Sequence, residues 1–170
     1  MGVRVLFTEE RIAERVRELG MQISADYSGK TIHLICVLKG AYTFLADLSR
    51  KMEVPLTIDF VRTSSYGECR VSNQDVTLVN DLDDSIQGRD VILLEDIVDT
   101  GFTLSKLLSL LHDKQPASLK VVTLLSKPSR RKVSVQVDYV GFEVPDCFVV
   151  GYGLDDNQRY RELSYLGVVD

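Results

Sequence analysis

The sequence predicts an α/β fold, a mostly parallel twisted sheet flanked by helices, and three observations carry that prediction. Residues 31–38 (TIHLICVL), 91–95 (VILLE) and 119–125 (LKVVTLL) are short, nearly uninterrupted apolar runs, the pattern of strands covered on both faces. The stretches between them repeat apolar residues at helical spacing. Each run also stops abruptly at polar residues, Lys39-Gly40, Glu95-Asp96 and Lys127, which would collect polarity along one edge of the sheet.

In chain order, Thr8 is a suitable N-cap for a first helix, in which Ile12, Val16, Leu19 and Ile23 form one buried stripe. Gly29-Lys30 lead into the 31–38 strand. Ala41 to Lys51 reads as a helix with Phe44, Leu45 and Leu48 on one face, and Pro55 opens a strand over 56–61 (LTIDFV). The apolar pattern fails from Arg62 to Asp75, where Ser, Gly, Asn and Gln dominate, which in a compact domain marks disorder or a working loop; Tyr66 favours a flexible lid. Val76 to Val79 resumes a short strand, and residues 54–79 are expected to form a small antiparallel extension. Asn80 to Asp90 is a polar turn containing Gly88, before the strand that begins at Val91. Leu104, Leu107, Leu108 and Leu111 define an amphipathic helix to about Lys114. Apolar strands follow at 119–125, 137–142 and 148–152, the last closed by Gly151 and Gly153.

At 170 residues and 45% hydrophobic content the chain is of single-domain size, and one domain over residues 1–170 is expected. Twenty Lys and Arg against 25 Asp and Glu give a net charge of -5, which speaks against nucleic acid as an obligate partner. Arg4, Glu9, Glu10 and Arg11 interrupt any signal-peptide pattern, and no apolar stretch approaches membrane-spanning length. A cytoplasmic location without a membrane partner is therefore expected. Cys36, Cys69 and Cys147 are widely spaced and odd in number, which points to reduced thiols, and the isolated His33 and His112 do not suggest histidine-based catalysis.

The stretch VILLEDIVDTGFTL, residues 91–104, changes character most sharply. Glu95, Asp96 and Asp99 bring carboxylates to a strand end, and Thr100-Gly101-Phe102-Thr103 offers hydroxyls and backbone N–H groups where a helix starts. Such a turn presents orphan donors to a phosphate, while the carboxylates can accept from sugar hydroxyls or hold a hydrated magnesium ion. Strand-to-helix turns also carry Asp, Thr and Gly simply to cap the helix, so a capping reading stands beside this one. A second rival lies at Asp81-Leu82-Asp83-Asp84-Ser85, which has the strand-then-D-x-D outline of an aspartyl-phosphate phosphatase, although an acidic turn explains it as well.

Five segments, VLKGAYTFLADL (37–48), SSYG (64–67), DLDDSIQGRDVILLEDIVDTGFTL (81–104), LLSKP (124–128) and VDYVGFEVPDCFVVGYGLDDNQRYREL (137–163), together resemble the purine phosphoribosyltransferases of the hypoxanthine-guanine type. The resemblance covers nearly the whole chain. It implies the type I phosphoribosyltransferase fold, a parallel sheet with flanking helices, a small hood and a flexible lid loop. It also implies magnesium-dependent transfer of the phosphoribosyl group from phosphoribosyl pyrophosphate to hypoxanthine or guanine, and a homodimer or homotetramer.

By the same resemblance, Glu95 and Asp96 take the ribose hydroxyls, Asp99 is the base beside the purine N7, and Thr100, Gly101, Phe102 and Thr103 cradle the 5′-phosphate. Lys39 and Gly40 form the pyrophosphate loop, where the family uses a non-proline cis peptide, and Arg161 reaches the pyrophosphate. Lys127 donates to the purine's exocyclic oxygen, Phe148 stacks on the base, Val149 reads its edge through the backbone, and Asp155 adjoins the purine and magnesium. Glu95 and Asp96 are the other implied metal ligands, and Ser65 and Tyr66 belong to the lid. Better-known members often carry lysine where this chain has Phe102, which removes a side-chain contact to phosphate and leaves Phe102 free to pack against a neighbouring helix. A non-catalytic, ligand-sensing member of the same fold is the remaining alternative, against which the presence of Asp99 and Lys39 speaks.

Overall fold

The computed structural model describes residues 2–65 and 76–169. In chain order the elements are β1 (Val3–Phe7), α1 (Glu9–Asp26), β2 (Ile32–Leu38), α2 (Tyr42–Ser49), β3 (Leu56–Ser65), β4 (Val76–Leu78) and β5 (Asp90–Val98). They continue with α3 (Phe102–His112), β6 (Ser118–Ser126), a 3-10 turn (Pro128–Arg130), β7 (Tyr139–Glu143), β8 (Val149–Val150) and β9 (Leu166–Val169). The main sheet has the order β4-β3-β2-β5-β6-β7, with five parallel strands and β4 antiparallel at one edge.

Alternation along each strand sends neighbouring residues to opposite faces, which is why the central runs are apolar throughout. Leu34, Cys36, Ile92, Leu94, Val122 and Leu124 face α1 and α2, meeting Ile12, Val16, Leu19, Ile23, Phe44 and Leu48. Ile35, Val37, Val91, Leu93 and Val121 face the other way, against Leu104, Leu107 and Leu111 of α3. The Thr8 side chain accepts from Arg11 N at 3.3 Å and starts α1 as the sequence suggests. β5 is flanked by β2 and β6, so Glu95–Asp99, Lys39-Gly40 and Lys127 emerge on one edge, at the carboxyl ends of three adjacent strands.

Four expectations are corrected. The strand over 56–61 runs on to Ser65, taking residues 62–65 out of the expected loop, because β4 returns beside it and pairs Thr63 with Leu78. Residues 54–79 are not an antiparallel extension as a whole, since Leu56–Arg62 pair in parallel with Ile32–Leu38 and only the far end is antiparallel. The expected strand 148–152 is reduced to Val149–Val150, because Gly151, Tyr152 and Gly153 take φ of 96°, 48° and 100° and turn the chain. β1 and β9 were not anticipated; with β8 they form a separate antiparallel sheet, order β1-β9-β8, that stands over the carboxyl edge as the hood. Of the expected lid, Tyr66 lies outside the described residues, and Ser65 is placed only as the last residue of β3.

Leu93 is fully buried in the central strand, whereas Met21 on the outer face of α1 is 61% exposed. Leu93→Ala should therefore cost about 2–5 kcal/mol in urea unfolding, while Met21→Ala should stay within about 0.5 kcal/mol of the parent.

Candidate active site

The site begins at the end of β2, where the Leu38–Lys39 peptide is cis, as the resemblance implies for this loop. Lys39 is exposed and its Nζ donates to Gln158 Oε1 at 3.3 Å. Gly40 is buried beneath it, and a Cβ there would overlap the Asp96 carboxylate. A Cβ on Gly153, in the segment after β8, would in turn overlap the Gly40 carbonyl. Two missing side chains thus let β5, the β2 loop and the hood segment close on one another.

Glu95 and Asp96 are consecutive on β5 and so leave it in opposite directions. Glu95 lines a cleft with Asp99, Thr100, Gly101 and Thr103, while Asp96 lies against Gly40 on the other side. Burial pushes the Glu95 carboxyl well above the usual carboxylate range, with the Asp96 charge adding to the effect. Burial also raises Asp96 to about 6, opposed by hydrogen bonding from Ile97 N and its own backbone N–H and by the Arg161 cation, and assisted by Asp155. Asp155 pairs with Arg161 Nη2 at 3.0 Å and accepts from Gln158 N at 2.8 Å. Arg161 Nη1 donates to the Gly153 carbonyl at 2.7 Å, and its Nε is buried without a partner among the described residues.

The turn after β5 is held open. Gly101, at φ 91°, occupies the N-cap of α3, where it has no side chain to cap the first-turn N–H groups. A helix start that its own residues do not cap is a poor fit to the capping reading and a good one to an anion. The turn is braced from behind, where the Thr100 carbonyl accepts from Lys132 N at 2.9 Å and Val133 N at 3.3 Å. Phe102 stays half exposed on the first turn of α3 instead of packing against a neighbouring helix.

Opposite the cradle, Lys127 is only 7% exposed and has no carboxylate partner among the described residues. Lys127 N donates to the Val98 carbonyl at 2.9 Å, and the Arg130 N–H donates to the Lys127 carbonyl at 3.1 Å. Phe148 is 55% exposed, so it is not a core residue, and Val149 is buried opposite Val168. The Asp99 carboxylate accepts from Arg130 Nε at 2.8 Å, and Arg130 Nη1 lies 3.3 Å from Asp146. Asp155 is tied by its hydrogen bonds to Arg161 and Gln158 in the segment after β8.

Residues 4–157 match the family model described as a phosphoribosyl transferase domain. The chain belongs to that family. It is 49% identical over 166 residues to the hypoxanthine-guanine phosphoribosyltransferase of Bacillus subtilis, covering 98% of this chain and 92% of that protein. It is 48% identical to the hypoxanthine phosphoribosyltransferase of Salmonella typhimurium, covering 98% and 95%. Among solved structures, a hypoxanthine-guanine phosphoribosyltransferase of Bacillus anthracis superposes with a TM-score of 0.95 at 44% identity, covering 99% of this chain and 100% of that one.

In this phosphoribosyltransferase the implied metal ligands Glu95, Asp96 and Asp155 do not form a ready cage. Among the described residues no three His, Cys, Asp or Glu side chains converge to hold a metal, because Glu95 and Asp96 diverge from the strand. The Asp96 and Asp155 side nevertheless fits magnesium carried in with phosphates, which keeps most of its waters and needs only one or two protein carboxylates. The rival segment Asp81–Ser85 is led back along β3, where Asp83 N bonds to Asp59 and Asp81 pairs with Lys114, away from the carboxyl edge. A cavity of about 720 Å³ between α1, α2 and the segment after β8 meets the site at Arg161.

Three contributors escaped sequence reasoning: Gly153, Arg130 and Arg131. Arg131 Nη2 donates to Ser126 Oγ at 2.9 Å, and its Cδ packs behind Gly101. The basic run after Lys127 was the available signal, but nothing in its spacing said which cation would turn inward.

Because Asp96 is raised from 3.8 to about 6, its protonated form is favoured by folding. That contribution is fully present below about pH 3.8 and is lost as the pH rises through 6, leaving a buried charge that costs stability at neutral pH. Asp96→Asn should therefore raise stability by about 1–3 kcal/mol at pH 7.5 and leave it unchanged near pH 4. Thermal melts at the two pH values measure this, and an equal shift at both would contradict it.

Proposed function

We propose that this chain serves purine salvage, moving the phosphoribosyl group of phosphoribosyl pyrophosphate onto hypoxanthine or guanine to give IMP or GMP and pyrophosphate. The observation that carries the reading is one sheet edge holding a buried and a partly buried carboxylate, a helix start with glycine at its N-cap and a buried lysine without a counter-ion among the described residues, in a chain nearly half identical to enzymes of those names. The first binds a sugar diol, the second a phosphate and the third a carbonyl oxygen.

The roles follow from the chemistry of each group. Glu95 and Asp96, as acceptors, would hold the ribose 2′- and 3′-hydroxyls, and the donors of that diol relieve the charge that burial makes unfavourable. The N–H groups of the Thr100–Thr103 turn, with the threonine hydroxyls, would take the 5′-phosphate, and backbone donors suffice where Phe102 offers none. Lys39, the Gly40 N–H and Arg161 would receive the pyrophosphate. Magnesium, bound with that group beside Asp96 and Asp155, would spread the charge of the leaving phosphates.

The purine N9 forms its bond to C1′ as the C1′–O bond breaks and its electron pair departs with pyrophosphate. Positive charge then grows on the imidazole ring, and Asp99 would accept the hydrogen bond, and then the proton, from N7. Lys127 would donate to the oxygen at C6; an ammonium cannot accept from adenine's amino group, so 6-oxopurines are selected. Phe148 would cover the ring face, and Val149 would meet the purine edge through its backbone. Ser65 and Tyr66 are proposed to belong to the lid that excludes water.

We further propose that residues 1–170 act as one domain, cytoplasmic and assembled as a homodimer or homotetramer. The pairing of β1 with β9 in the hood supports the first part, and the exposed apolar Ile58 and Phe60 on one face of β3 support self-association. No helix among the described residues is long and apolar enough to cross a membrane.

Incubation with magnesium, hypoxanthine and phosphoribosyl pyrophosphate should yield IMP; no nucleotide from any purine would overturn the reading. Asp99→Asn should lower turnover by about 100-fold or more while changing purine binding little, since it removes an interaction made mainly in the transition state. Lys127→Ala should weaken hypoxanthine and narrow its lead over adenine, read as the ratio of the two kcat/KM values.

A further inference from the structure

Asp99 is not a free carboxylate. Its Oδ1 accepts from Arg130 Nε at 2.8 Å, and the same guanidinium extends Nη1 toward both oxygens of Asp146, at 3.3 and 3.5 Å. Asp146 sits two residues before Phe148, in the short segment between β7 and β8. Arg130 is itself three residues beyond Lys127, joined to it through the 3-10 turn. One turn therefore carries the cation that would meet the purine oxygen and the cation that holds the carboxylate meant for N7.

We infer that Arg130 is a positioning residue for the transfer: it fixes the Asp99 carboxylate and the segment bearing Phe148 relative to each other, across the purine pocket. The inference rests on the phosphoribosyl transfer proposed above. Its physical content is orientation. A carboxylate on a strand end has several rotamers, and committing Oδ1 to a planar guanidinium leaves Oδ2 as the oxygen presented to the purine. The fork of arginine can satisfy two carboxylates at once, which the point charge of lysine cannot do with the same geometry. Stability does not account for the arrangement, because the side chains of Arg130, Asp99 and Asp146 are 42%, 41% and 59% exposed and ion pairs so exposed contribute little. The guanidinium is charged at any working pH, so both of its carboxylate contacts are charge-assisted.

The test is the single-turnover rate of IMP formation, which reports the chemical step, in Arg130→Ala, Arg130→Lys, Asp146→Asn and the Ala/Asn double variant. Arg130→Ala should slow the step by about ten- to 100-fold through a misplaced Asp99. Its KM for phosphoribosyl pyrophosphate should stay within about twofold, because the Arg130 side chain bonds to Asp99 and Asp146 and to none of the residues proposed to hold ribose or phosphate. Its melting temperature should move by no more than about 2 °C, as for any exposed pair. Arg130→Lys should recover part of the rate. Asp146→Asn should have a smaller effect that disappears when Arg130 is already alanine, since Asp146 acts through it.

A wild-type rate in Arg130→Ala would overturn the role of Arg130. An Asp146→Asn effect undiminished in the alanine background would overturn the bridge. Wild-type protein that forms no nucleotide would refute the transfer reaction itself, and the inference with it, so the two failures are told apart by the wild-type control.

Discussion

The constraint on which the structure depends is the desolvation of two consecutive carboxylates, the buried Glu95 and the partly buried Asp96, at the end of the central strand. Taking ionised carboxylates out of water is costly unless something compensates them, and here the compensation is only partial. The Arg161 cation acts on Asp96 through space from the hood side, Ile97 N donates to it, and the remaining deficit is left for ligand. The deficit also reaches inward, where burial first and the two carboxylates second push the Cys36 thiol up to about 12 and keep it inert. Placing both acids on β5, between β2 and β6, lets Lys39-Gly40 and Lys127 arrive from adjacent strand ends, while the hood brings Asp155, Arg161 and Val149.

Much of this was legible in the sequence because the sheet's interior strands are covered on both faces. Apolar runs such as TIHLICVL and VILLE have few other interpretations, and their polar stops marked Lys39, Glu95 and Lys127 before any coordinates did. Resemblance then supplied roles that spacing alone could not. The failures share a physical cause. β1 and β9 are short, pair only with distant segments and carry no periodic signal of their own; Val3 becomes a strand residue because Val169 is opposite it. β8 shrank because Gly151, Tyr152 and Gly153 adopt left-handed conformations that local apolarity does not reveal.

The cations show the same limit at the level of single side chains. Lys127, Arg130, Arg131 and Lys132 are indistinguishable as a basic run, yet the 3-10 turn started by Pro128 sorts them. Lys127 is buried, Arg130 reaches Asp99, Arg131 packs behind Gly101, and Lys132 contributes its backbone N–H to Thr100. Phase around a single turn decides which charge does chemistry and which supports the frame.

The hood has a consequence for how the site is held together. β8, which supplies Val149, has β9 as its strand partner, and β9 is docked between β8 and β1. Val149 of β8 and Leu166 of β9 are buried in the same apolar cluster as Ile92, Leu94 and Phe44, so the purine wall shares its core with the strand that carries Glu95 and Asp96. Ribose recognition and base recognition are therefore set by one core, and a cavity opened in it would disturb both.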